Sequence, residues 1–198
     1  MLLAFITSGF AVSAILVYQV PILTAAGASL GAAGIIGGLR GFFQVFGRMG
    51  LTRAVDRAGT EVVLTGSYVM GGVGVLFLLG GGWPSGIAFA VLAGIGFGAA
   101  VPLQAIYARA HFDEADLGLL MALQGAVIGL AGGLGPVVGG LLHDLTSSWT
   151  ATILLTVALL AVSASLILLP RPKTATGPRS GAPSILLRGW GSNPRQTD

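Results

Sequence analysis

The sequence predicts an all-α integral membrane protein built as a bundle of six membrane-spanning helices. Three observations lead there. Of 198 residues, 54% are hydrophobic and only 9% charged, whereas a soluble domain carries roughly 25% charged residues to cover its surface. Six apolar runs each approach or exceed the about 20 residues that one helical crossing of a bilayer core requires. None of the runs shows the period-two alternation of a strand, and all are too long for one.

The first run covers about residues 2–23. It has no basic segment ahead of it, is too long for a signal-peptide core and shows no small-residue cleavage site, so it reads as a true spanning helix. A chain that starts this abruptly within a helix looks like one lacking its upstream part. The second run, 31–50, follows the break Thr24 to Leu30, and the third, 61–80, follows a charged loop from Arg48 to Glu61. The turn Gly80 to Ser85, with Gly80-Gly81-Gly82 and Pro84, precedes the fourth run, 86–108. Arg109 to Asp116 separates it from the fifth, 117–142, and His143 to Ser148 precedes the sixth, 149–169. Residues 1–170 therefore form the membrane domain. The Pro-, Gly-, Arg- and Ser-rich stretch 171–198 reads as a disordered cytoplasmic tail.

The 33 glycines exceed what turns need. In lipid, helices associate through close backbone approach, which small residues permit. Gly34, Gly37, Gly38 and Gly41 offer such a surface in the second run, Gly94, Gly96 and Gly98 in the fourth, and Gly125, Gly129, Gly132, Gly133, Gly135, Gly139 and Gly140 in the fifth; a tight bundle is expected. Orientation follows from basic residues. Arg48, Arg53, Arg57 and Arg109 lie in loops on one side, together with the basic tail, and the loops on the other side hold no Lys or Arg. Both termini are therefore expected in the cytoplasm of a cell-membrane protein.

The composition also excludes functions. Without cysteine there is no disulfide framework or thiolate metal site. His111 and His143 fall on opposite sides of the membrane, so they share no metal, and no serine sits in a nucleophile elbow. Gly94-Ile95-Gly96-Phe97-Gly98 follows no strand and lies inside a spanning run, which makes it helix packing and not a dinucleotide loop. A net charge of +3 gives no argument for nucleic acid. No catalytic residue, cofactor or metal is expected.

Arg40 is the most informative residue. It lies in the middle of its run, where an arginine costs about 2.5–3.5 kcal/mol on insertion scales and must face the bundle interior, a partner or water. Apart from Glu61 at the very start of the third run, no Asp or Glu lies within an apolar run, so Arg40 has no internal counter-ion at its depth. The functional reading is an anion site in which the planar guanidinium grips a carboxylate; the other reading is a bond to backbone carbonyls or to a missing helix. Gln44 is one turn further on the same face. Tyr18 and Gln124 are candidates to line a solute path. Gln19, Tyr68, Gln104 and Tyr107 are also at membrane depth, where an interhelical hydrogen bond is the ordinary role.

Pro21, Leu23, Gly27, Ser29 and Ala33, then Gly47-Arg48 and Asp56-Arg57-x-Gly59, resemble the major facilitator superfamily of secondary transporters. The Gly135-Pro136 and Gly139-Gly140 pairs look like that family's penultimate helix. The resemblance covers about residues 1–172. In the loop, Thr52 stands where the family has glycine, and Thr60 and Glu61 replace a basic run. The resemblance implies the C-terminal six-helix half of a twelve-helix transporter, with Arg40 in the eighth helix, where carriers of monocarboxylate type carry an arginine. It implies alternating-access transport of a small organic anion, with Arg48, Asp56, Arg57 and Gly59 in a gating loop. The partners would be the lipid bilayer, the solute and a missing N-terminal half or second chain; the alternative is an inactive half or scaffold.

Overall fold

The computed structural model describes residues 2–111 and 114–169, so the expected tail 171–198 lies outside the described residues. Those described are all-helical apart from turns. They form α1 (Leu2–Ala25), α2 (Leu30–Arg48), α3 (Leu51–Ala58), α4 (Thr60–Leu76, extended by a 3-10 turn at Phe77–Leu79), α5 (Gly82–His111), α6 (Glu114–Thr146) and α7 (Thr150–Leu168). Six of them, all but α3, are long and apolar enough to cross a membrane.

Two differences from the expected boundaries have physical causes. The stretch 48–61, read as a charged loop, contains the two-turn helix α3. Leu51 and Val55, one turn apart, pack against the core, while Arg53, Asp56 and Arg57 point away and are exposed. Gly50 and Gly59 bracket it with φ of 74° and 82°, a region L side chains avoid; Gly59 N–H still closes the helix by donating to Val55 O at 2.8 Å. Second, α5 and α6 run to 30 and 33 residues. Pro84 falls in the first turn of α5, where its missing N–H has no intrahelical acceptor in any case. His143 consequently lies in the last turn of α6 and not in a loop.

In chain order the spanning helices form two triplets, α1-α2-α4 and α5-α6-α7, which pack mainly on each other and little within themselves. The first helix of each lies against the second helix of the other, α1 on α6 and α5 on α2, and the third helices α4 and α7 lie against each other. In addition α5 packs on α4 and α1 on α7. This is the pattern of a repeat related by a pseudo-two-fold axis.

Glycine sets the approach distances, but only part of the glycine does so. On α5, a Cβ at Gly94 would stand 2.6 Å from Arg40 O, one at Gly98 2.6 Å from Gln44 Cα, and one at Gly96 2.7 Å from Ser67 O of α4. The fourth helix thus uses its glycines as expected, on both sides. The second departs from the expectation, and the fifth meets it in part, with Gly135 against Phe10 O and Gly139 and Gly140 against Tyr18. Gly34, Gly38 and Gly41 of α2, and Gly125, Gly129 and Gly133 of α6, meet nothing within 4 Å. These stripes face away from the bundle, because α2 approaches α5 through Gly47 instead and α6 approaches α1 through Gly135.

Polar side chains tie the helices where backbone contact ends. Ser8 donates to Tyr68 Oη at 3.2 Å and Gln104 Nε2 donates to the same oxygen at 2.9 Å, joining α1, α4 and α5. Thr7 and Ser163 share a hydrogen bond at 2.7 Å between α1 and α7. Thr152 Oγ1 donates to Gly139 O at 2.9 Å between α7 and α6. Buried hydroxyls in an apolar medium require such partners.

Candidate functional site

Arg40 stands ten residues after Leu30 and eight before Arg48 on α2, about 15 Å and 12 Å along the axis. It is near the middle of the crossing and half-buried. Side chains on a helix lean toward its N-terminus, so Arg40 reaches toward the α1–α2 turn. There it meets Gln19 of α1: Arg40 Nε donates to Gln19 Oε1 at 2.8 Å. Gln19 is itself oriented, because its Nε2 donates to Leu16 O at 3.1 Å. Gly37, one turn before Arg40, lies beside the Gln19 amide, and a Cβ there would stand at ordinary contact distance, 3.7 Å.

The backbone under Arg40 is fixed. Gly94 and Gly98 of α5 bring that helix against Arg40 O and the Gln44 backbone, so α2 is seated along this turn. The end of the guanidinium is different. Arg40 Nη1 is buried and has no hydrogen-bond partner among the described residues. An unpaired buried N–H costs about 1–3 kcal/mol, and more when it belongs to a charged group. The arrangement therefore presents a permanent cation with one nitrogen anchored and one waiting for an acceptor, in a span without any carboxylate.

The other expected site residues lie elsewhere on α1, α2 and α6. Gln44 is half-buried one turn along α2. Tyr18 precedes Gln19, so it points about 100° away from it and faces α6 and α7: its ring lies 4.8 Å from that of Trp149, against Gly139 and Gly140. Trp149 stacks in turn on His143, centroids 3.8 Å apart and planes 8° apart. Gln124, 8% exposed, is buried on α6. The structure thus joins Arg40 to Gln19 and directs Tyr18 elsewhere. Gln19 as a partner was not anticipated. The signal was present, since the short turn between α1 and α2 makes them antiparallel neighbours, and an arginine leaning toward that turn reaches residues of α1 near its end.

On the side that carries α3, Arg48 ends α2, where a cation suits the carbonyl end of the helix. Asp56 and Arg57 are exposed on α3; neither forms an ion pair among the described residues. Gly59 makes the turn into α4.

A comparison with curated proteins finds no match. The family model described as Major Facilitator Superfamily matches residues 1–195, nearly the whole chain. Six membrane-spanning helices in two interlocked triplets agree with that match, and members of this family are membrane transporters and not enzymes. The chain is a multi-pass membrane protein that belongs to the Major Facilitator Superfamily.

Proposed function

We propose that the chain is the C-terminal six-helix half of a secondary transporter that moves a small organic anion, such as a monocarboxylate, by alternating access. The observation that carries this reading is Arg40, a cation at mid-depth whose Nη1 has no acceptor among the described residues. A carboxylate would supply the missing acceptor and offset the charge. Gln44 and Gln124 would contribute polar lining, with Tyr18 beyond them.

The open glycine stripes of α2 and α6 support a second six-helix body. A position facing lipid tails is filled well by Leu; a glycine stripe that touches nothing in its own chain suits the close approach of another helix. That body would be an N-terminal half or a second chain. The basic α3 side would be cytoplasmic, in the cell membrane, with both termini there. Arg48, Asp56, Arg57 and Gly59 would form the gate, with Asp56 and Arg57 meeting charges of the other half and separating as it opens. The Gln19 bond favours one rival: a non-transporting half in which Arg40 is structural.

Uptake of labelled monocarboxylates into proteoliposomes that hold the chain joined to its other six-helix half separates the two. Arg40→Lys keeps the charge but loses the planar fork and should reduce uptake markedly. Arg40→Gln should abolish it at normal membrane yield. Normal uptake by both variants, or a failure of both to accumulate, would make Arg40 structural.

A further inference from the structure

We propose that Gln19 is the positioning residue of the anion site: its amide oxygen holds Arg40 by Nε and leaves the two terminal nitrogens as the edge that receives a carboxylate. The inference rests on the reading of Arg40 as the anion anchor.

Arginine has five N–H donors in a plane, one on Nε and two on each terminal nitrogen. A carboxylate can be gripped in parallel by the terminal pair or by Nε with its neighbour. Gln19 removes the second choice by occupying Nε at 2.8 Å. Its amide has only one workable orientation. With Nε2 committed to Leu16 O at 3.1 Å, Oε1 faces the arginine; a flipped amide would set donor against donor. Because α2 is seated on α5 through Gly94 and Gly98, the Arg40 backbone is fixed, and the remaining freedom lies in the side-chain torsions. The Gln19 bond restricts those. Glutamine suits this place where glutamate would not, since a neutral acceptor orients the cation without neutralising it. Nη1 is covered, so an anion that takes it must displace neighbouring side chains while Nε remains the pivot.

Gln19→Glu tests this with almost no change in shape. The full chain in lipid nanodiscs would be titrated with labelled benzoate, acetate and lactate between about pH 5.5 and 8, where carboxylates are largely ionised. Wild-type affinity for the probes should change little across this range. At the alkaline end the introduced carboxylate competes for Arg40, and Gln19→Glu should bind about tenfold more weakly or worse. An adjacent cation favours the charged form of a carboxylate, so the loss should persist to the acid end of this range. Gln19→Leu should bind several-fold more weakly at every pH, and Gln19→Asn, which keeps the amide but shortens its reach, should lie between. A merely structural Gln19 would lower yield in these variants without a loss of affinity graded from Gln19→Asn through Gln19→Leu to Gln19→Glu. Wild-type binding by Gln19→Glu and Gln19→Asn at all pH values overturns the inference, and leaves the anion reading standing if Arg40→Gln still abolishes binding. If wild type binds none of the three probes, or Arg40→Gln binds them normally, the anion reading falls and this inference with it.

Discussion

A single methyl group added at two glycines should have opposite consequences, and the distances say why. At Gly96 of α5 the new Cβ would stand 2.7 Å from both Gly71 N and Ser67 O of α4. Both atoms are backbone, so relief requires α4 and α5 to separate by several tenths of an ångström along a contact that also includes Gly74 against Ala93. Overpacking of this kind costs about 1–3 kcal/mol. The gain in intrinsic helix preference from Gly to Ala is at most about 1 kcal/mol, so Gly96→Ala should be destabilising overall. At Gly129 of α6 the same methyl meets nothing within 4 Å, so the helix-preference gain of up to about 1 kcal/mol stands unopposed and Gly129→Ala should stabilise the chain or leave it unchanged. Reversible unfolding in mixed micelles, followed by helical circular dichroism, measures the difference. Equal stability of the two variants would refute the claim that α5 is seated by glycine against α4.

Three further outcomes follow from the same contacts. Tyr68→Phe deletes the oxygen that receives both Ser8 and Gln104; Ser8 keeps its bond to Phe5 O but Gln104 is left seeking an acceptor, so a loss of about 1–2 kcal/mol is expected in the same unfolding assay, and an unchanged midpoint would remove the triad from the account. The chain lacks cysteine, so Arg57→Cys and Trp83→Cys are specific labelling sites: an impermeant maleimide should reach them from opposite faces of the membrane, and labelling of both from one face would break the six-crossing topology. If a second six-helix body docks on the open stripes, Gly129→Leu should weaken its association in a cross-linking or co-purification measurement while leaving the stability of the chain itself unchanged; unaltered association would remove the α6 stripe from that interface.

The number and type of spanning helices were legible because the signals involved are long and redundant: runs of about 20 apolar residues leave few alternatives in a bilayer. The helix α3 was hidden because its eight residues are mostly charged or small, and its amphipathic character emerges only when Leu51 and Val55 find the core. The roles of the glycines were only half legible. Gly94 and Gly129 are equivalent in a sequence, yet one lies against Arg40 O and the other against nothing, and only the packing of the triplets decides which stripe is turned inward. Arg40 stood out from energetics alone, since one charge in an apolar run has few ways to persist. Its partner Gln19 did not, because an amide at membrane depth has many potential partners. The adjacent Tyr18 drew attention that the structure directs to Trp149 and the outer turns of α6 and α7.

The central claim is that a carboxylate binds at the terminal nitrogens of Arg40. Solid-state magnetic resonance measures this directly, by dipolar coupling between a 13C-labelled carboxylate of benzoate and 15N-guanidino-labelled arginine in membranes containing the full chain. The account predicts a coupling that corresponds to about 4 Å, the carbon-to-nitrogen separation set by N–H···O bonds of roughly 2.8 Å, and its disappearance in Arg40→Lys. A coupling that persists in Arg40→Lys, or none in the wild-type protein at saturating benzoate, would contradict it.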